Sequence, residues 1–146
     1  MTHLFAYGTL MCEDIMQEVS GSLPKHRRGV LKGYSRRLVK GQVYPGLLQR
    51  EANRVDGVLY LNVPAAAWER LDRFEGEMYG RRTVSIEMNS GGRLTAETYI
   101  VRQEYVDNLE EVEWDFSEFL SSGKSKFRAG YIGYNSINGE DGILEQ

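Results

Sequence analysis

A chain of 146 residues with 41% apolar and 27% charged residues has the length and balance of one globular domain, which excludes disordered and fibrous classes. Its net charge of −3 speaks against a nucleic-acid partner. The longest apolar stretch, Val63 to Trp68, falls far short of the ~18 residues of a membrane span, so no membrane partner is expected.

A single cysteine, Cys12, rules out an internal disulfide and fits a reducing, cytoplasmic setting. The start of the chain, MTHLFAYGTLM, lacks the basic leading region and small-residue cleavage site of a secretory signal. No repeat or linker divides the sequence, so residues 1–146 read as one mixed α/β domain.

In chain order, His3 to Tyr7 alternates as a strand does and stops at Gly8. Met11, Cys12, Ile15, Met16 and Val19 then recur at helical spacing, with Glu13 and Asp14 in the first turn and Gly21 as the stop. From Arg27 to Tyr60 come short β-like runs around Val30, Leu38, Leu47 and Val58 to Leu61, punctuated by glycines. A second helix is expected from Pro64, suited to a first helical position, to a terminator at Gly76. Val84, Ile86 and Met88 mark a half-buried strand, which a turn at Asn89 to Gly92 returns as Leu94 to Val101. Leu109, Val112, Phe116, Phe119 and Leu120 predict a third helix capped by Asn108, and a strand is expected near Tyr131.

Several apparent signals lead nowhere. The run SSGKS lacks the first glycine of a phosphate loop, since position 118 is Glu118, and reads as a helix C-terminal turn. Two histidines and one cysteine without ligand spacing predict no metal. Cys12 shares a face with Ile15, Met16 and Val19, which makes it a buried small hydrophobe rather than a nucleophile. The seven bases of Lys25 to Lys40 and the seven acids of Glu104 to Glu118 read as solvated or mutually compensating surfaces.

One carboxylate stands apart. Glu75 follows Leu71 by four residues and Trp68 by seven, which places it on the inward face of the second helix. It also ends that helix, where the macrodipole disfavours negative charge, so burial and dipole both push its pKa upward, as a general acid or base near neutral pH requires. The Tyr7-Gly8-Thr9-Leu10 loop, passing from strand to helix, leaves N–H groups that suit a carboxylate or an oxyanion.

Taken together, FAYGTL, VYPGL and LDRFEGEMYGRR after the GVLY strand resemble the gamma-glutamylcyclotransferase superfamily, specifically its AIG2-like and gamma-glutamylamine cyclotransferase branch, over roughly residues 3–101. The resemblance implies an α+β fold built on a small β-barrel with helices packed outside. It implies release of 5-oxoproline from a gamma-glutamyl amine or amino acid by attack of the substrate's own α-amino group, with no cofactor. Glu75 is then the catalytic acid/base, and Tyr7, Gly8, Thr9, Leu10, Tyr44, Pro45, Tyr79 and Arg81 bind substrate. Met11-Cys12-Glu13 replaces the basic residue and glycine common after the loop in the family, and Tyr131 and Tyr134 are further wall candidates. Two other classes use the same residues differently: a non-catalytic binding domain in which Glu75 holds an ammonium, and a surface adaptor working through the acidic stretch.

Overall fold

The computed structural model of the chain describes residues 2–131. Strand β1 (Thr2–Ala6) leads through a short 3-10 turn at Thr9–Met11 into helix α1 (Glu13–Ser20). Two long strands follow, β2 (His26–Val39) and β3 (Pro45–Val63), then helix α2 (Ala65–Glu75) and the hairpin of β4 (Tyr79–Met88) and β5 (Arg93–Val101). A short strand β6 (Leu109–Glu113), a helical turn α3 (Phe116–Glu118) and helix α4 (Lys124–Gly130) complete the described chain.

The strands run β3-β1-β5-β4-β2, and β2 pairs back onto β3, so five of them close a barrel while β6 lies outside on β2. Strands β1 and β5 are parallel at Leu4↔Glu97, and the remaining pairs are antiparallel, so the barrel is mixed. With helices packed against it, this is the α+β barrel architecture that the sequence resemblance implies.

Strand alternation explains the two layers of core. In β1, Phe5 points with Leu31, Leu47, Val55, Leu59, Val84, Ile86 and Ala96 into the barrel, and Tyr7 joins them just past its end. Leu4 and Ala6 point the opposite way, toward Ile15, Met16 and Val19 of α1 and Trp68, Leu71 and Phe74 of α2. Each such buried side chain contributes about 1.5–3 kcal/mol, so β1 is clamped from both faces. Gly21 (φ +79) and Gly76 (φ +81) end the two helices in the left-handed region that glycine adopts without strain.

Three sequence expectations are corrected. The short runs between Arg27 and Tyr60 are parts of two long strands, whose register shifts between Lys32 and Tyr34 at Gly33 (φ +86). The expected third helix is a strand over Leu109–Glu113 and becomes helical only at Phe116, where the Asp115 carboxylate accepts from the Glu118 N–H. Acidic β6 is drawn onto basic β2: Arg37 lies 3.6 Å from Glu111 and Arg36 3.7 Å from Glu113, while Val112 is 57% exposed. The strand expected near Tyr131 is instead the end of α4, and SSGKS crosses a π-helical turn into that helix rather than ending one. Tyr134 lies outside the described residues.

Candidate active site

A narrow cavity opens at the end of the barrel where β1 stops. Its wall includes Tyr7, Gly8, Thr9 and Leu10 from the loop, Tyr44 and Pro45 from the start of β3, Glu75 from α2, Tyr79 from β4, Tyr99 from β5, and Phe127 and Tyr131 from α4 and its end. Its free space is only about 30 Å³, enough for one or two waters, because aromatic rings fill the rest.

The loop is shaped by contacts that leave its donors unused. A side chain at Gly8 would place its Cβ 2.8 Å from Pro45 Cγ, so glycine lets the loop lie against the proline. The Tyr7 carbonyl accepts from Arg36 Nη1 at 2.9 Å, and the Leu10 carbonyl accepts from Tyr60 Oη at 2.7 Å. The N–H groups of Met11 and Cys12 donate to Gly8 and Thr9, whereas those of Thr9 and Leu10 make no hydrogen bond among the described residues. Two backbone donors without a partner thus belong to residues that line the cavity.

Glu75 faces them from the end of α2. Trp68, Leu71 and Phe74 are buried on the same helix, and that packing fixes the rotation which turns Glu75 inward. Among the described residues nothing donates to or pairs with its carboxylate. Burial first, and the nearby Asp72 charge second, push its pKa from 4.5 to about 8. Both protonation states are therefore accessible near neutral pH.

The surrounding tyrosines are neutral and oriented. Tyr7 Oη donates to the Tyr99 carbonyl at 2.7 Å, Tyr79 Oη to the Pro45 carbonyl at 2.7 Å, and Tyr99 Oη to Asp72 Oδ1 at 2.6 Å. Burial holds the phenols of Tyr7, Tyr79 and Tyr99 above their ordinary range, and the Glu75 charge adds to this. Tyr44 and Tyr131 meet edge to face at 4.9 Å, and Tyr131 stacks on Phe127 at 4.6 Å.

Eight of the nine residues named from sequence line this one cavity: Tyr7, Gly8, Thr9, Leu10, Tyr44, Pro45, Glu75 and Tyr79. Arg81 is the exception. It shares the face of Tyr79 on β4 but lies two residues further along, past the cavity, where its guanidinium sits 3.6 Å from Asp72, 3.8 Å from Glu97 and 4.7 Å from the Trp68 ring centre. Cys12 is buried with its thiol pushed up to about 11, as a small hydrophobe rather than a thiolate. Sequence reasoning missed Tyr99, Phe127, Asp72 and Arg36, because only strand register and helix docking bring them here.

Comparison with known proteins shows the family and the fold. The gamma-glutamyl cyclotransferase, AIG2-like family model matches residues 4–116. The chain belongs to that family. Among curated relatives, AIG2-like protein C of Arabidopsis thaliana is 31% identical over 85% of this chain and 72% of its own. A solution structure of an Arabidopsis thaliana protein superposes with a TM-score of 0.68 at 28% identity, covering 88% of this chain and 86% of that one. A structure described as a gamma-glutamyl cyclotransferase shares the fold, with a TM-score of 0.61 at 19% identity over 75% of this chain and 68% of its own. In this AIG2-like member, residues from all three segments that carry the resemblance line the cavity: Tyr7 to Leu10, Tyr44 and Pro45, and Glu75 with Tyr79. Among the described residues no helix is long and apolar enough to cross a membrane.

Proposed function

We propose that the chain is a cyclotransferase that releases 5-oxoproline from a gamma-glutamyl amine or gamma-glutamyl amino acid, with Glu75 as acid and base. The observation that carries this reading is that one cavity is lined both by Glu75, whose charged form burial disfavours, and by a loop with two backbone donors that have no partner among the described residues. Such a pair suits a reaction whose nucleophile belongs to the substrate, because the enzyme then needs only to move protons, hold an oxyanion and fold the substrate.

In this scheme Glu75 as carboxylate takes a proton from the substrate α-ammonium. The amine attacks the γ-carbonyl carbon, a C–N bond forms, and negative charge develops on oxygen beside the Thr9 and Leu10 N–H groups. Glu75 returns its proton to the departing nitrogen as the old C–N bond breaks, then takes the second proton from the new ring nitrogen and passes it to the freed amine. Overall, two protons pass from attacking to leaving nitrogen, and Glu75 ends as it began. Tyr7, Tyr44 and Tyr79 wall the bent substrate, and no cofactor enters. Arg81 lies outside the cavity and does not touch substrate in this scheme.

The reading is tested by incubating wild-type and Glu75→Gln protein with gamma-glutamyl amines and amino acids and measuring 5-oxoproline by mass spectrometry. Release by wild type alone is expected. Binding of ligand by a folded wild-type protein without release would favour a binding domain instead.

A further inference from the structure

Asp72 is the charged neighbour of the cavity that the reaction scheme leaves without a task. It precedes Glu75 by three residues on α2, so the two carboxylates are neighbours on one helix flank. Its Oδ1 accepts the Tyr99 hydroxyl at 2.6 Å, and this directs toward Asp72 the proton of a tyrosine that itself lines the cavity. Arg81 lies 3.6 Å from the same Oδ1, is 36% exposed, and is shared with Glu97, which also binds the Thr83 hydroxyl.

Resting on the cyclotransferase reading of Glu75, we propose that Asp72, partly neutralised by Arg81 and tied to the cavity wall through Tyr99, is the positioning residue that governs when Glu75 carries its charge. It acts in two ways. A negative charge one helical turn away opposes ionisation of Glu75, and the Tyr99 proton it holds is withheld from the Glu75 carboxylate. Arg81 moderates the first effect from the barrel surface.

The other groups facing Glu75 make this assignment specific. Tyr7 at the end of β1, Tyr44 beside β3, Tyr79 on β4, Tyr99 on β5 and Tyr131 after α4 are all neutral phenols. On α2, Arg73 pairs with Glu69 at 3.0 Å. Among the described residues Asp72 is therefore the charge that couples to Glu75, one helical turn away on the same helix.

The experiment follows the Glu75 side-chain carboxyl carbon by NMR in full-length protein labelled at glutamate, with the resonance assigned by Glu75→Gln, alongside kcat/KM against pH. Asp72→Asn keeps an acceptor for Tyr99 and removes only the charge. It is expected to lower the Glu75 midpoint by about half a unit to one unit, and to raise kcat/KM roughly three- to tenfold on the acid side. Arg81→Gln is expected to move both quantities the opposite way and stands as the test if Asp72→Asn fails to fold. Equal midpoints in wild type and the folded variants, or shifts of the same sign in both, overturn the proposal. The NMR titration needs no turnover: opposite shifts without 5-oxoproline release would uphold the coupling and defeat the cyclotransferase reading, while release with unmoved midpoints would do the reverse.

Discussion

At the scale of single residues, the consequences gather around Glu75. Its pKa is about 8 in the fold against an ordinary 4.5, so between those values the folded chain keeps a proton that the unfolded chain has lost. Stability must then fall as pH rises through that window. Glu75→Gln, which cannot ionise, is expected to abolish 5-oxoproline release yet exceed wild type in stability at pH 9 by on the order of a few kcal/mol. The gain should vanish below about pH 4.5, as thermal unfolding across pH would show. Gly8→Ala brings a methyl to within 2.8 Å of Pro45 Cγ, so the loop must shift. Its expected cost is about 1–3 kcal/mol in urea unfolding, with at least a tenfold fall in kcat/KM because the two backbone donors move with it. Glu75 was legible in the sequence because helical spacing from Trp68 and Leu71 alone turns it inward. Arg81 was not, because it shares the face of Tyr79 on β4 and only its position further along the strand takes it past the cavity.

At the scale of elements, the strand β6 separates what periodicity can and cannot reveal. Leu109, Val112, Phe116 and Phe119 recur at helical spacing, yet pairing of Glu111 and Glu113 with Arg37 and Arg36 makes the first part a strand and leaves Val112 57% exposed. Val112→Asp is therefore expected to change stability by less than about 0.5 kcal/mol. Leu109→Ala, which empties a site packed against Gly46 and the barrel, is expected to cost about 2–4 kcal/mol in chemical denaturation. A large loss from Val112→Asp would favour a buried helical face instead. Helices α1 and α2 and the β4–β5 hairpin were legible because each has a clean apolar period and a glycine or turn at its end. The long hairpin β2–β3 was not, since residues 49–54 are exposed throughout and carry no alternation, and the Gly33 irregularity breaks the pattern opposite them.

At the scale of the whole molecule, the closed barrel is a frame that brings segments from both ends of the described chain to one cavity. The loop after β1 supplies the backbone donors, α2 the carboxyl, and α4 the aromatic cover of Phe127 and Tyr131. Free space of about 30 Å³ is smaller than a gamma-glutamyl group, so on the proposed reading the aromatic wall has to shift when substrate enters. Helix α4 is tethered for such a movement: Asp14 on α1 holds Lys124 at 2.7 Å and Arg128 at 2.8 Å. Asp14→Ala is expected to speed amide exchange over Lys124 to Gly130 about three- to tenfold while barrel amides keep their protection. Such a docked cover is invisible to periodicity, because Phe127 and Tyr131 meet Tyr44 and Phe74 only through tertiary packing. Whether this cavity closes a substrate onto itself decides between an enzyme and a binding domain. The measurement is 5-oxoproline release from a panel of gamma-glutamyl amines and amino acids by wild-type and Glu75→Gln protein. Release that depends on Glu75 is the predicted result, and undiminished release by folded Glu75→Gln, or none by wild type, would contradict it.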